Sequence, residues 1–149
     1  DEKQKRLNEL VGKKMPDLKV SGWINGEVKA GDLKGKVVVV DVWATWCGPC
    51  IASIPHNNEM LEKLKAKGLV IVGVCSSQRG QEKLADIVTA KKIAYPVCKD
   101  PAQETMNAYN VAFFPTYVAI DRKGLVRAAG LRPDKVEEVV EKLLAEKAE

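Results

Sequence analysis

Four consecutive valines, Val37 to Val40, lead through Asp41-Val42-Trp43 into two cysteines spaced C-x-x-C, Cys47-Gly48-Pro49-Cys50. β-Branched side chains on both faces make Lys36 to Trp43 a strand covered on each side, as at the centre of an α/β sheet. Beyond Cys50, Ile54, Leu61 and Leu64 recur at helical spacing as far as Lys67-Gly68, where a glycine closes the helix. The cysteine pair therefore stands at a strand-to-helix junction. There Cys47 meets unpaired backbone N–H groups and the positive end of the helix dipole, which favour a thiolate over a thiol. A thiolate is the attacking species, and a pKa drawn down toward about 7 makes Cys47 competent near neutrality. Cys50, three residues on and on the same helical face, can resolve a mixed disulfide, and Pro49 presets φ in the first turn.

Half of a zinc site and two buried thiols are the bland alternatives. A zinc site would want a second C-x-x-C or paired histidines, and His56 is the one histidine of the chain. His56 itself reads as an exposed helical residue with no catalytic part. A dithiol that stores two electrons needs neither metal nor organic cofactor. At 149 residues with 30% charged residues the chain has the size and polarity of one soluble domain, and no apolar run approaches the ~20 residues of a membrane span. Net charge is +4; Lys3, Lys5, Arg6, Lys13 and Lys14 cluster without an aromatic platform, so nucleic acid is not an expected partner.

The remaining pattern alternates strands and helices. Residues 1–14 read as an amphipathic lead-in helix ended by Met15-Pro16, ahead of a domain over 15–149. Leu18 to Ile24 and Val28 suggest a hairpin about Asn25-Gly26. Strands are expected at Leu69 to Cys75, Tyr95 to Cys98, Thr116 to Ile120 and Leu125 to Ala129. Helices are expected over Gln81 to Lys92, Ala102 to Tyr109 and Pro133 to about Glu146. The result is a single α/β domain with a central mixed sheet and an antiparallel final hairpin.

Asp41 to Cys50 resembles the active-site segment of thioredoxins. Pro55 falls where those proteins kink the active-site helix, and Phe114-Pro115-Thr116 matches their cis-proline loop beside the cysteines. Val11 to Asp17, Asp32 to Lys36 and the segment from Leu69 to Asp100 resemble the TlpA/ResA-like branch. The resemblance implies a thioredoxin-like fold and the strand order Tyr95–Cys98, Leu69–Cys75, Lys36–Trp43, Thr116–Ile120, Leu125–Ala129. It implies Cys47 and Cys50 as the catalytic dithiol and Asp41 as a buried acid that shuttles a proton to Cys50. Trp46, Gly48, Pro49, Phe114, Pro115 and Thr116 are then the surface that meets substrate. The branch is extracytoplasmic or periplasmic in bacteria. That implies a signal or anchor ahead of Asp1, a disulfide-containing protein as substrate, and a protein electron donor, membrane-bound in some settings.

Two departures stand out. Ser53 occupies the place of a glutamate found in several members of the branch, and the lysine that partners the buried acid of thioredoxins falls near Gly73, leaving Asp41 to work alone or with water. Trp43 reads as core, and Asp41 inside a valine strand is costly unless used. Cys75 and Cys98 lie on strands that run adjacent in this branch. A structural disulfide closing 23 residues, worth about 3 kcal/mol, and two buried thiols both fit them. The reading that results is a reductase of protein disulfides. A peroxidase of the same fold would carry Pro and Thr or Ser where this chain has Val40 and Ala44, and a non-enzymatic binding domain would have no use for the intact dithiol.

Overall fold

The computed structural model describes residues 1–147. Helices are α1 (Glu2–Asn8), α2 (Gly48–Ala52), α3 (Ile54–Leu64), α4 (Leu84–Lys91), α5 (Glu104–Ala108) and α6 (Pro133–Ala145). Strands are β1 (Ser21–Ile24), β2 (Val37–Trp43), β3 (Leu69–Cys75), β4 (Val97–Lys99), β5 (Thr116–Ile120) and β6 (Val126–Leu131), in the sheet order β1-β4-β3-β2-β5-β6. The five strands named from the sequence stand in the expected order, with β2 parallel to β3, β3 parallel to β4, and β5 and β6 antiparallel.

Every residue of β2 is buried. Its alternation divides the interior in two: Val37, Val39 and Trp43 join Ile54, Met60 and Leu64 of α3 and Val136, Val140 and Leu143 of α6. Val38, Val40 and Val42 face the other way, onto Leu7, Tyr109 and Val126. Cys47 and Cys50 belong to the first layer.

The expected hairpin about Asn25-Gly26 does not form. Both residues have positive φ, 66° and 104°, as a tight turn requires. Asn25 Nδ2, however, donates to the carbonyls of Ile93 and Tyr95 at 2.7 and 3.1 Å, tying the turn to the approach of β4. β1 then covers the open edge of β4, antiparallel, and the chain after Gly26 continues without a strand. The lead-in helix is shorter than its periodicity suggests. It ends at Asn8, because Gly12 (φ 88°) turns the chain so that its N–H donates to Val126 O and Lys13 O accepts from Val126 N, each at 2.8 Å.

Candidate active site

β2 ends at Trp43, and Cys47 caps α2. Its backbone is extended (φ −85°, ψ 112°), and its Sγ accepts the N–H of Cys50 at 3.2 Å. Cys47 and Cys50 are joined as a disulfide with Cα atoms 5.2 Å apart. Gly48 and Pro49 are exposed between them, whereas the cysteines themselves are 5% and 3% exposed. Exposure therefore separates the two cysteines little. Position separates them: Cys47 sits at the cap, Cys50 within the first turn. Pro55 has no N–H for the carbonyl of Ile51, so the helical run breaks at Ser53 into α2 and α3. Ser53 Oγ donates to Pro49 O at 2.9 Å.

Asp41 is buried in the same layer, opposite Gly73 on β3 and Tyr117 on β5. Contrary to the expectation drawn from the missing lysine, it has a protein partner. Asn57 of α3 donates through Nδ2 to Asp41 Oδ2 at 3.3 Å, and the same amide lies 3.3 Å from Tyr95 Oη and 3.1 Å from Tyr117 Oη. Tyr117 Oη donates to Asn57 Oδ1 at 3.2 Å. Residue 73 is tight for any side chain: a Cβ there would meet Val97, the Trp43 indole nitrogen and the Tyr95 ring at 3.0–3.2 Å, and each neighbour would have to give way. Burial pushes the Asp41 carboxyl up to about 7, against the lowering effect of the Asn57 hydrogen bond. Asp41 Oδ1 has no partner among the described residues. Asn57, Tyr95 and Tyr117 were not singled out from the sequence. Their signal was there: an asparagine on the apolar stripe of Cys50, Ile54 and Leu64, where a polar side chain needs a partner.

Three loops meet around the disulfide. Trp46 is 49% exposed, and its indole N–H donates to Ser77 Oγ at 2.8 Å. Phe114 meets it edge-on, ring centroids 6.0 Å apart. The Phe114–Pro115 peptide is cis, and Thr116 Oγ1 donates to Phe113 O at 2.6 Å, closing that loop. Of the residues expected on the substrate face, Trp46, Gly48 and Pro49 are exposed and Phe114 and Pro115 half-buried, whereas Thr116 is fully buried and serves to close its own loop; Ser77 and Arg79 from the loop after β3 reach the Trp46 indole.

Cys75 and Cys98 are not bridged; both are free, buried thiols. Parallel pairing sets Cys75 opposite Lys99 and Cys98 opposite Val74, so the two cysteines differ by one residue of register and face opposite sides of the sheet. Cys75 lies in the layer of Trp43, Cys98 in that of Val42. His56 is half-exposed and pairs with Glu137 at 3.2 Å, away from the chemistry. A groove of about 600 Å³ opens at the other end of the sheet beside Met15, Leu33 and Ile120.

The Redoxin family model matches residues 10–144. Thiol-disulfide oxidoreductase ResA of Bacillus anthracis is 32% identical over 116 residues, 78% of this chain and 66% of its own length. The Geobacillus kaustophilus protein of the same name is 33% identical over 119 residues, 78% of this chain and 67% of its own. The chain thus spans about two thirds of the length of these relatives. Among solved structures, a candidate thiol:disulfide interchange protein DsbE from Chlorobium tepidum superposes with TM-score 0.77 at 36% identity, over 90% of this chain and 94% of that one. A thiol-disulfide isomerase from Corynebacterium glutamicum gives TM-score 0.81 at 25% identity, over 91% and 99%.

Proposed function

The chain belongs to the Redoxin family, with a thioredoxin-like fold and the dithiol of a thiol–disulfide oxidoreductase, and from that premise we propose that it reduces disulfides of protein substrates. The observation that carries this reading is the Cys47–Cys50 couple capping α2 in the layer that also holds the buried acid Asp41. In the reduced protein, the Cys47 thiolate attacks one sulfur of the substrate disulfide. That bond breaks, the departing substrate sulfur takes up a proton, and a mixed disulfide forms on Cys47. Asp41 accepts the Cys50 proton, and the Cys50 thiolate attacks Cys47 Sγ, releasing the second substrate thiol. Two electrons have passed from the dithiol to the substrate, and a protein dithiol donor restores the couple.

The reductive direction rests on what surrounds Cys47. Gly48 and Pro49 bring it no imidazole or charge, and Asp41, ionising near neutrality, disfavours a second anion in its layer. A thiolate stabilised only moderately leaves the disulfide comparatively favoured. A peroxidase reading gains nothing from Val40 and Ala44, both buried and apolar. The ResA-like resemblance supports an extracytoplasmic, periplasmic setting. Among the described residues no helix is long and apolar enough to cross a membrane.

Equilibration of the protein against glutathione buffers, read by mass spectrometry, tests the direction. The expected potential lies below the glutathione couple, near the about −270 mV of thioredoxin; a value above about −180 mV overturns the reductase reading.

A further inference from the structure

Arg79 is the one charged residue in the three loops of the rim, 44–49, 76–81 and 113–116. Its guanidinium carbon lies 4.5 Å from the centroid of the Trp46 ring. The other four arginines each donate to an oxygen: Arg6 to Asn110, Arg122 to three carbonyls, Arg127 to Asp121 and Glu146, Arg132 to Asp134. Among the described residues no carboxylate pairs with Arg79.

The loop that carries it is held in place. Ser76 Oγ donates to Asp100 at 2.9 Å, Gln103 Nε2 donates to Ser76 O at 3.0 Å, and Thr45 Oγ1 donates to Gly80 O at 2.8 Å. Gly80 has φ +87°, and any Cβ there would run into the Thr45 hydroxyl, so the backbone that presents Arg79 admits little but glycine at this step. The guanidinium is consequently preset over the exposed indole beside the disulfide.

On the reductase reading, we propose that Arg79 selects the substrate: it receives an aspartate or glutamate that lies beside the reactive cysteine of the disulfide protein. A partner that reaches the Cys47–Cys50 couple must cover Trp46 and with it the guanidinium. Stripping water from an unpaired cation is unfavourable unless the partner supplies an anion, and a lysine at that place is repelled. One guanidinium on one indole matches a single carboxylate, and the chain's net charge of +4 favours an acidic partner at longer range.

Three disulfide peptides, identical except for Glu, Gln or Lys next to the reactive cysteine, test the assignment with the wild-type chain and with Arg79→Gln. The wild type is expected to favour Glu over Gln in kcat/KM by about threefold to fivefold at low ionic strength, and to disfavour Lys by a similar factor. Arg79→Gln removes the ranking, and added salt compresses it in the wild type. Equal turnover of all three peptides by the wild type, or a ranking that survives in Arg79→Gln, overturns the role of Arg79 while leaving the reductase reading standing. A wild type that reduces none of the three overturns both.

Discussion

A carboxyl in the middle of a fully buried, valine-rich strand is the least economical choice the chain makes. Asp41 is 4% exposed, with one oxygen unpartnered and the other held only by Asn57. Below 3.8 the folded and unfolded chains both keep its proton; between 3.8 and about 7 only the folded chain does, so the unfolded state gains and stability falls across that window, then stays level above it. At roughly 1.4 kcal/mol per pH unit the interval corresponds to about 4 kcal/mol. Asp41→Asn should therefore be more stable than the wild type by several kcal/mol at pH 8 and no more stable below pH 3.8, as read by denaturant unfolding of the oxidised proteins. The same variant should lose the resolving step, trapping mixed disulfides on Cys47. In the wild type that step should rise through about pH 7, and Asn57→Ala, which removes the hydrogen bond that lowers the Asp41 pKa, should move the rise to higher pH. A wild-type and Asp41→Asn pair with equal stability at pH 8 would contradict the burial argument. Tyr95 and Tyr117, pushed up first by burial and then by the Asp41 charge, stay protonated throughout.

Strand register decides what periodicity alone leaves open. Adjacency of β3 and β4 was legible, but whether Cys75 and Cys98 can meet depends on a shift of one residue between parallel strands, and no composition rule carries that. The same holds for Asn25-Gly26. Its turn chemistry was legible, while the partner it turns toward was set by the unpaired edge of β4. Asp100 follows β4 and was not singled out from the sequence. In the fold it is fully buried and accepts from Ser76 Oγ and the N–H groups of Thr105 and Met106, fastening the loop after β3 to α5. For the two free thiols the consequence is inertness. Burial raises Cys75 to about 11 and lifts Cys98 further still, so both remain thiols at neutral pH. Alkylation of the native reduced protein should label Cys47 and spare Cys75 and Cys98. The double alanine variant should keep the Cys47–Cys50 potential and insulin reduction while losing about 1–2 kcal/mol of stability per site. Lost turnover with an intact fold would make these cysteines an electron relay.

At the scale of the whole molecule, β2 separates chemistry from support. Its odd-numbered side chains face the layer that holds Cys47, Cys50 and Asp41, and its even-numbered ones face a layer closed by the first residues of the chain. The valines of β2, the C-x-x-C and the proline positions were legible in the sequence, but not which valines face which layer. Residues 1–14 read only as a lead-in, because seven helical residues give too short a period to show which apolar side chain is anchored. In the fold Leu7 is fully buried, Gln4 Nε2 donates to Ala129 O at 2.9 Å, and Gly130 (φ +81°) leaves no space for a Cβ against Leu7 and Gln4. α1 is therefore packed into β6 rather than laid upon it. Truncating Leu7 removes three buried carbon atoms and leaves a cavity lined by residues that β6 and β2 hold in place, which costs about 3 kcal/mol. For a domain of this length that is a fall in Tm of roughly 6–12 °C. Because the cavity opens on the face of the sheet away from the dithiol, Leu7→Ala should leave the Cys47–Cys50 potential and the pH dependence of the resolving step where they were. Calorimetry beside a glutathione titration separates the two effects. A shifted potential in Leu7→Ala would mean that the two layers are coupled through β2, and that the first eight residues belong to the redox machinery as well as to the fold.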